Sequence, residues 1–169
     1  VFELSKLMNI SQKSFVNSIQ SFKGLEHRFE IFMKKKNVTF INDSKATTCE
    51  SAITAISGLK NIFWILGGLP KKGDKINLLN YKRNIIKCYL IGKNVNFFKK
   101  QLEGKVSFSI SKTLNRAINQ IVKDHDFYKK KKCFILLSPA AASFDQFKNF
   151  EIRGTEFKKL CKTYARKFI

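Results

Sequence analysis

The sequence is short of the residues that carry most metal and nucleophile chemistry. It has two histidines, His27 and His125, and four cysteines at 49, 88, 133 and 161. The cysteines form no C-x-x-C pair and the histidines stand far apart, so neither a zinc site nor any other metal site is expected. Cys88 and Cys133 fall inside apolar, strand-like runs and read as small core residues of a protein kept in a reducing cytoplasm. No apolar run approaches the ~18–20 residues that span a bilayer, and Val1–Ile10 has no charged segment leading into an apolar one. Neither a membrane span nor a secretory signal is expected. The phosphate-loop pattern G-x-x-x-x-G-K-[ST], the dinucleotide pattern G-x-G-x-x-G and the nucleophile elbow G-x-S-x-G are all missing. The chain starts at Val1, which reads as a cut or processed end, or as part of a longer protein.

Arginine is scarce too. Of 33 basic residues against 12 acidic ones, 28 are lysine and 5 arginine, within a formal net charge of +21. Readers of nucleic acid rely on arginine for bidentate contacts, and these lysines cluster in expected loops (Lys34–Lys36 and Lys129–Lys132). Phe, Ile, Asn, Lys and Tyr make up 80 of the 169 residues, as AT-rich codons would produce. A basic nucleic-acid-binding module is therefore the lesser alternative, and no specific nucleic acid is expected as a partner.

What is present is an alternation of strands and helices. Residues 1–24 read as two short helices, with Ser11 a cap between them and Gly24 at the end of the second. Phe29–Met33 and Val38–Ile41 read as a hairpin across Lys34–Asn37. Strands follow at Ile62–Leu66, Ile85–Ile91, Val106–Ile110 and Cys133–Leu137. Helices are expected at Thr48–Leu59, Ile76–Arg83, Val95–Leu102, Leu114–Lys123 and Gly154–Phe168. This pattern predicts an α/β fold, a mainly parallel sheet with helices on both faces, preceded by an N-terminal hairpin and short helices.

Three polar clusters follow strands, and ligands of such sheets gather at strand C-termini. In Ile41-Asn42-Asp43-Ser44-Lys45-Ala46-Thr47, a carboxylate, an ammonium and two hydroxyls meet at a strand-to-helix turn. The free N–H groups of such a turn favour an anion; equally, Ser44 or Thr47 fits an ordinary helix N-cap. Leu66-Gly67-Gly68 through Lys71 allows close backbone approach beside a cation. In Ser138–Phe147, small residues lead to Ser143, which also fits a capping box with Gln146. The residues by themselves point to a small acidic ligand held at one sheet edge.

Gly24-Leu25-Glu26-His27-Arg28-Phe29-Glu30, Asn42–Thr47, Leu66-Gly67-Gly68 with Lys71, and Ser138-Pro139-Ala140 through Ser143-Phe144-Asp145-Gln146-Phe147-Lys148-Asn149-Phe150-Glu151 with Arg153-Gly154 together resemble a known family. They are similar to the C-terminal region of the UDP-N-acetylmuramoyl-L-alanine:D-glutamate ligases (MurD type). Residues 1–24 resemble the closing helices of the central ATPase domain, and residues 25–169 the C-terminal domain, with its dinucleotide-fold-like sheet. The resemblance implies a cytoplasmic, monomeric enzyme of peptidoglycan precursor synthesis. ATP phosphorylates the carboxylate of UDP-N-acetylmuramoyl-L-alanine, and the D-glutamate amine attacks the acyl phosphate.

Carried onto this chain, the resemblance puts Thr47, Lys71, Ser143, Phe144 and Phe150 around D-glutamate. His27, Arg28 and Asp43 would face the nucleotide, Arg28 toward the γ-phosphate and Asp43 toward the ribose. Lys45 would face the phosphate region, with Arg28 and Lys45 as the catalytic pair. ATP and Mg²⁺ would be bound mainly by N-terminal and central domains outside this sequence, so the chain alone would be inactive. Phe144 stands where Leu is common, Ala141 where Cys is common and Thr48 where Asn is frequent. A sister Mur ligase or a folylpolyglutamate-type ligase lobe is the nearer alternative.

Overall fold

The apolar runs that alternate with amphipathic segments become one sheet. A computed structural model describes residues 1–128 and 131–168. Its strands are β1 (Glu30–Lys35), β2 (Val38–Asn42), β3 (Ile62–Gly67), β4 (Ile85–Ile91), β5 (Phe108–Lys112) and β6 (Cys133–Leu137). They are ordered β1-β2-β6-β3-β4-β5. The expected hairpin forms and joins the sheet. β1 is its antiparallel edge, paired Lys35 to Val38 across a two-residue turn, and β2 runs parallel to β6 with Val38 opposite Cys133 and Asn42 opposite Leu137. β3 lies parallel to both β6 and β4. Every residue of β2 and β3 is buried, as central strands covered on both faces require.

Alternation along β3 sends Trp64 and Leu66 to one face and Phe63 and Ile65 to the other. The first face is covered by α3 (Cys49–Ser57) and α4 (Val95–Leu102) through Ala52, Ile56, Phe98 and Leu102. The second is covered by α5 (Leu114–His125) and α6 (Phe150–Tyr164) through Leu114, Ala117, Ile118, Ile121, Phe157 and Cys161. All four cysteines are free and buried.

The two short helices precede the sheet. They are α1 (Phe2–Leu7) and α2 (Gln12–Ser21), with the Ser11 hydroxyl accepting the Ser14 N–H at 3.2 Å. Their apolar side chains face outward, Leu7 81% and Phe22 62% exposed. No helix among the described residues is long and apolar enough to cross a membrane.

Three expectations fail, each for a local reason. No helix forms at 76–83; only a 3₁₀ turn occurs, at Lys82–Asn84. Ile76 and Leu78 are buried at a spacing of two, Leu79 is exposed, the Ile76 N–H goes to Gln101 Oε1 at 2.7 Å, and the Leu79 N–H goes to Asn77 Oδ1 at 3.2 Å. α3 is capped by Thr48, not Ser44 or Thr47: the Thr48 hydroxyl accepts the Ser51 N–H in a capping box. α6 starts at Phe150 rather than Gly154, capped by Asn149, whose Oδ1 accepts the Ile152 N–H at 2.8 Å. The lysine run at 129–132 falls partly outside the described residues, which resume at Lys131.

Candidate functional site

Strands β2, β6 and β3 are adjacent and parallel, so the three polar clusters that follow them emerge side by side at one edge. The loops are then tied together beyond the strand ends. Leu69 and Ala142 exchange backbone hydrogen bonds of 2.9 and 3.0 Å, and the Gly67 N–H goes to the Pro139 carbonyl at 2.8 Å. This contact needs Gly68, because a Cβ there would lie 2.2 Å from the Ala142 carbonyl oxygen.

Between these loops lies a cleft of about 490 Å³. It is lined by Lys45, Thr47, Lys71, Ala142, Ser143, Phe144, Asn149, Phe150 and Glu151. Lys45 and the five residues expected around D-glutamate thus share one wall-to-wall space. The Lys45 ammonium sits 3.9 Å from the Phe150 ring centroid, a cation–π contact that steers the long side chain along the cleft. Lys71 is exposed, Ser143 buried and Phe144 71% exposed. Ser143 caps no helix; its carbonyl accepts the N–H groups of Gln146 and Phe147 at 3.0 and 2.9 Å, and the residue lines the cleft. The first turn of α6 adds a positive helix end to one wall. Two cations and a helix N-terminus against the lone carboxylate of Glu151 make the cleft suited to an anion of moderate size.

None of the residues expected at the nucleotide, His27, Arg28 and Asp43, lines this cleft. Asp43 is buried, and both of its oxygens are engaged: Oδ1 accepts the Phe29 N–H at 3.0 Å, and Oδ2 accepts the Ser138 hydroxyl at 2.8 Å. Desolvation raises its pKa above the ordinary value, against the opposing pull of those two bonds and of Arg28. Asp43 borders a separate hollow with Phe29, Ser51 and Thr54. Arg28 is exposed near it.

His27 is turned inward, 6% exposed, with its backbone at φ 63. Asn42 Nδ2 donates to its Nδ1 at 2.9 Å, while Asn42 Oδ1 accepts the Ser44 N–H at 3.3 Å.

Sequence reading passed over Asn149, Glu151 and Arg153 as site residues. Asn149 and Glu151 line the cleft because α6 begins four residues earlier than expected. Asn three residues before Ile152, with an acidic first turn, is the signal that would have placed them. Gly154 is not the helix start but its docking point: a Cβ would fall 2.2 Å from His27 Nδ1 and 2.9 Å from Asn42 Oδ1. Gly154→Ala should therefore cost about 1–3 kcal/mol in a denaturant titration, whereas Gly58→Ala, where nothing lies within 4 Å, should not destabilise.

A charged network braces the same corner. Glu30 accepts from the His27 N–H at 3.0 Å, Asn42 Nδ2 at 2.9 Å and Lys158 at 2.8 Å, and Lys158 also reaches Glu26 at 3.1 Å. Burial pushes the Glu30 pKa up, but the bonds from Lys158, His27 and Asn42 outweigh it and hold the carboxyl below its ordinary 4.5. A depressed carboxyl stabilises the fold above its unfolded value and loses that contribution as pH falls through the folded one. Wild type should thus lose stability relative to Glu30→Gln as the pH drops below 4.5, read from denaturant midpoints across pH.

Comparison with known proteins gives this geometry a family. No protein-family model matches the chain. It is 43% identical over 150 residues to a UDP-N-acetylmuramoylalanine--D-glutamate ligase of Rhizobium meliloti (strain 1021), covering 89% of this chain and 32% of that protein. Ligases of the same name from Rhodopseudomonas palustris (strain HaA2) and Wolbachia sp. subsp. Brugia malayi (strain TRS) are 44% and 41% identical, over 85% and 92% of this chain. The chain is a homologue of these ligases over one part of their sequence. It spans about a third of the length of the curated relatives it matches. The α/β sheet with helices on both faces is consistent with a Mur ligase C-terminal domain.

Proposed function

We propose that this chain forms the amino-acid-accepting lobe of an ATP-dependent ligase that joins D-glutamate to UDP-N-acetylmuramoyl-L-alanine. The observation that carries the proposal is the single cleft shared by Thr47, Lys71, Ser143, Phe144 and Phe150, in a chain whose relatives carry that enzyme's name. D-glutamate brings two carboxylates and one amine. Lys71 supplies a charge for a carboxylate, Thr47 and Ser143 supply hydroxyl donors, and the first turn of α6 supplies backbone N–H groups. Phe144 and Phe150 shape the apolar side and exclude water.

The acceptor's carboxylate takes the γ-phosphoryl group of ATP, releasing ADP. The amine of D-glutamate then attacks the acyl carbon; the C–N bond forms, phosphate leaves and the amine gives up a proton. Lys45, whose ammonium sits over the Phe150 ring, is read as the cation that meets the transferred phosphate. Arg28, exposed next to Asp43, neutralises the γ-phosphate. Asp43 and His27 hold the turn from which the nucleotide is met: Asp43 through its bonds to Phe29 and Ser138, His27 through Asn42.

No group of three or more His, Cys, Asp or Glu side chains suited to a metal occurs among the described residues. Mg²⁺ and most of the ATP contacts are assigned to the N-terminal and central domains of the full-length enzyme. Residues 1–24 are read as the end of that central domain. Their outward apolar side chains, such as Leu4, Leu7, Ile19 and Phe22, suit packing against it. The enzyme is read as a cytoplasmic monomer.

The test is ADP release by the full-length ligase containing this chain, assayed with UDP-N-acetylmuramoyl-L-alanine and a panel of amino acids. Release should depend on D-glutamate. Preference for L-glutamate on a folate, or for another amino acid, would replace this reading with a sister ligase.

A further inference from the structure

We propose that Arg153 is a positioning residue for the amino-acid cleft, a clamp that holds the Asn42–Thr47 turn against the first turn of α6. The inference rests on the cleft being the amino-acid site proposed above. Arg153 is 1% exposed, an extreme burial for a guanidinium. Its Nε donates to Ser44 Oγ at 3.0 Å and its Nη2 to the Ser44 carbonyl at 2.8 Å. The Ser44 hydroxyl passes the contact on, donating to the Phe150 carbonyl at 2.8 Å. One cation thus grips both the carbonyl and the hydroxyl of a residue that is itself bonded to the helix start.

The two elements joined this way both line the cleft. Lys45 and Thr47 come from the turn; Asn149, Phe150 and Glu151 come from the helix. Lys45 follows Ser44 directly, and its contact with Phe150 depends on the spacing between the two elements. Gly154 completes the grip by letting α6 approach His27 and Asn42.

The arrangement goes beyond ordinary packing in one respect. No carboxylate makes a hydrogen bond to Arg153, and its Nη1 has no partner among the described residues. Burial draws its pKa down to about 10 while Asp145, in the loop that also carries Ser143, pulls it up, so the group stays cationic at neutral pH. A buried, incompletely neutralised cation behind the cleft adds to the field that favours a dicarboxylate.

Arg153→Lys keeps the charge but cannot hold the Ser44 carbonyl and hydroxyl together. Ser44→Ala keeps the carbonyl contact and loses the hydroxyl relay. In the full-length ligase, Arg153→Lys should raise KM for the amino acid by ~10- to 100-fold, a larger factor than it raises the KM for ATP. Ser44→Ala should move the same constant in the same direction by a smaller factor. Amide exchange at Lys45 and Ala46, whose N–H groups bond to the His27 and Asp43 carbonyls, should accelerate in both variants.

An unchanged amino-acid KM in both variants, or equal loss against both substrates with exchange raised throughout the domain, would overturn the clamp. Should Arg153→Lys fail to fold, Ser44→Ala decides alone. A wild-type enzyme that prefers another amino acid would refute the D-glutamate reading. The clamp would then be measured on the amino acid it does use.

Discussion

Lys71→Ala in the full-length ligase should raise the KM for D-glutamate by about 10- to 100-fold while leaving the KM for ATP near wild type. Lys71 is the freest cation on the cleft: it is exposed, whereas Lys45 already rests on Phe150. A charge-assisted hydrogen bond to a carboxylate contributes about 1.5–3 kcal/mol, and each ~1.4 kcal/mol is tenfold in affinity. Because the carboxylates of D-glutamate do not react, losing their anchor weakens binding more than it slows the chemical step, so the change belongs in KM. Lys71→Arg should recover only part, since a planar fork reaches a different point from a compact ammonium. An unchanged KM for D-glutamate in Lys71→Ala would remove this residue from the site.

Gly67→Ala should be the most damaging small substitution for stability, at about 3 kcal/mol or more, lowering the melting temperature by roughly 6–12 °C. Gly67 closes β3 at φ 133, outside the range side chains adopt, and an added Cβ would lie 2.0 Å from the Ile91 carbonyl oxygen and 2.8 Å from its carbon. The obstacle is backbone, which cannot swing aside as a side chain can. Relief would require β3 and β4 to part where β3 leads into its cleft loop. Gly73→Ala is the control: it has φ 80 but nothing within 4 Å, so it carries only the left-handed penalty of about 1–2 kcal/mol. Equal melting temperatures for the two variants would contradict this reading of the strand end.

The contrast between these glycines marks where sequence reading succeeds and where it stops. Ile85–Ile91, Cys133–Leu137 and Val95–Leu102 were legible to the residue, because each is an apolar run or stripe with polar residues at both ends. Segment 76–83 was misread because its apolar residues fit a helix only if Leu79 turns inward. The fold buries Ile76 and Leu78 instead and satisfies the backbone through Gln101 and Asn77. Gly154 looked like a boundary; its real constraint comes from His27 and Asn42, far away in sequence, which no local pattern reports.

The same division runs through the site. Polar clusters after parallel strands predicted a shared edge, and topology brings them to one cleft. The direction each side chain takes is a tertiary matter. Asp43 spends both oxygens inside the protein, His27 turns in, and Arg153 lies buried behind Ser44.

The central claim is that D-glutamate occupies the cleft between the Asn42–Thr47 turn and the start of α6. A crystal structure of the full-length ligase with D-glutamate and a non-hydrolysable ATP analogue tests it most directly. The account predicts one glutamate carboxylate within hydrogen-bond reach of Lys71 Nζ, with Thr47 and Ser143 around the same ligand. Glutamate bound elsewhere, with the cleft empty, would contradict it.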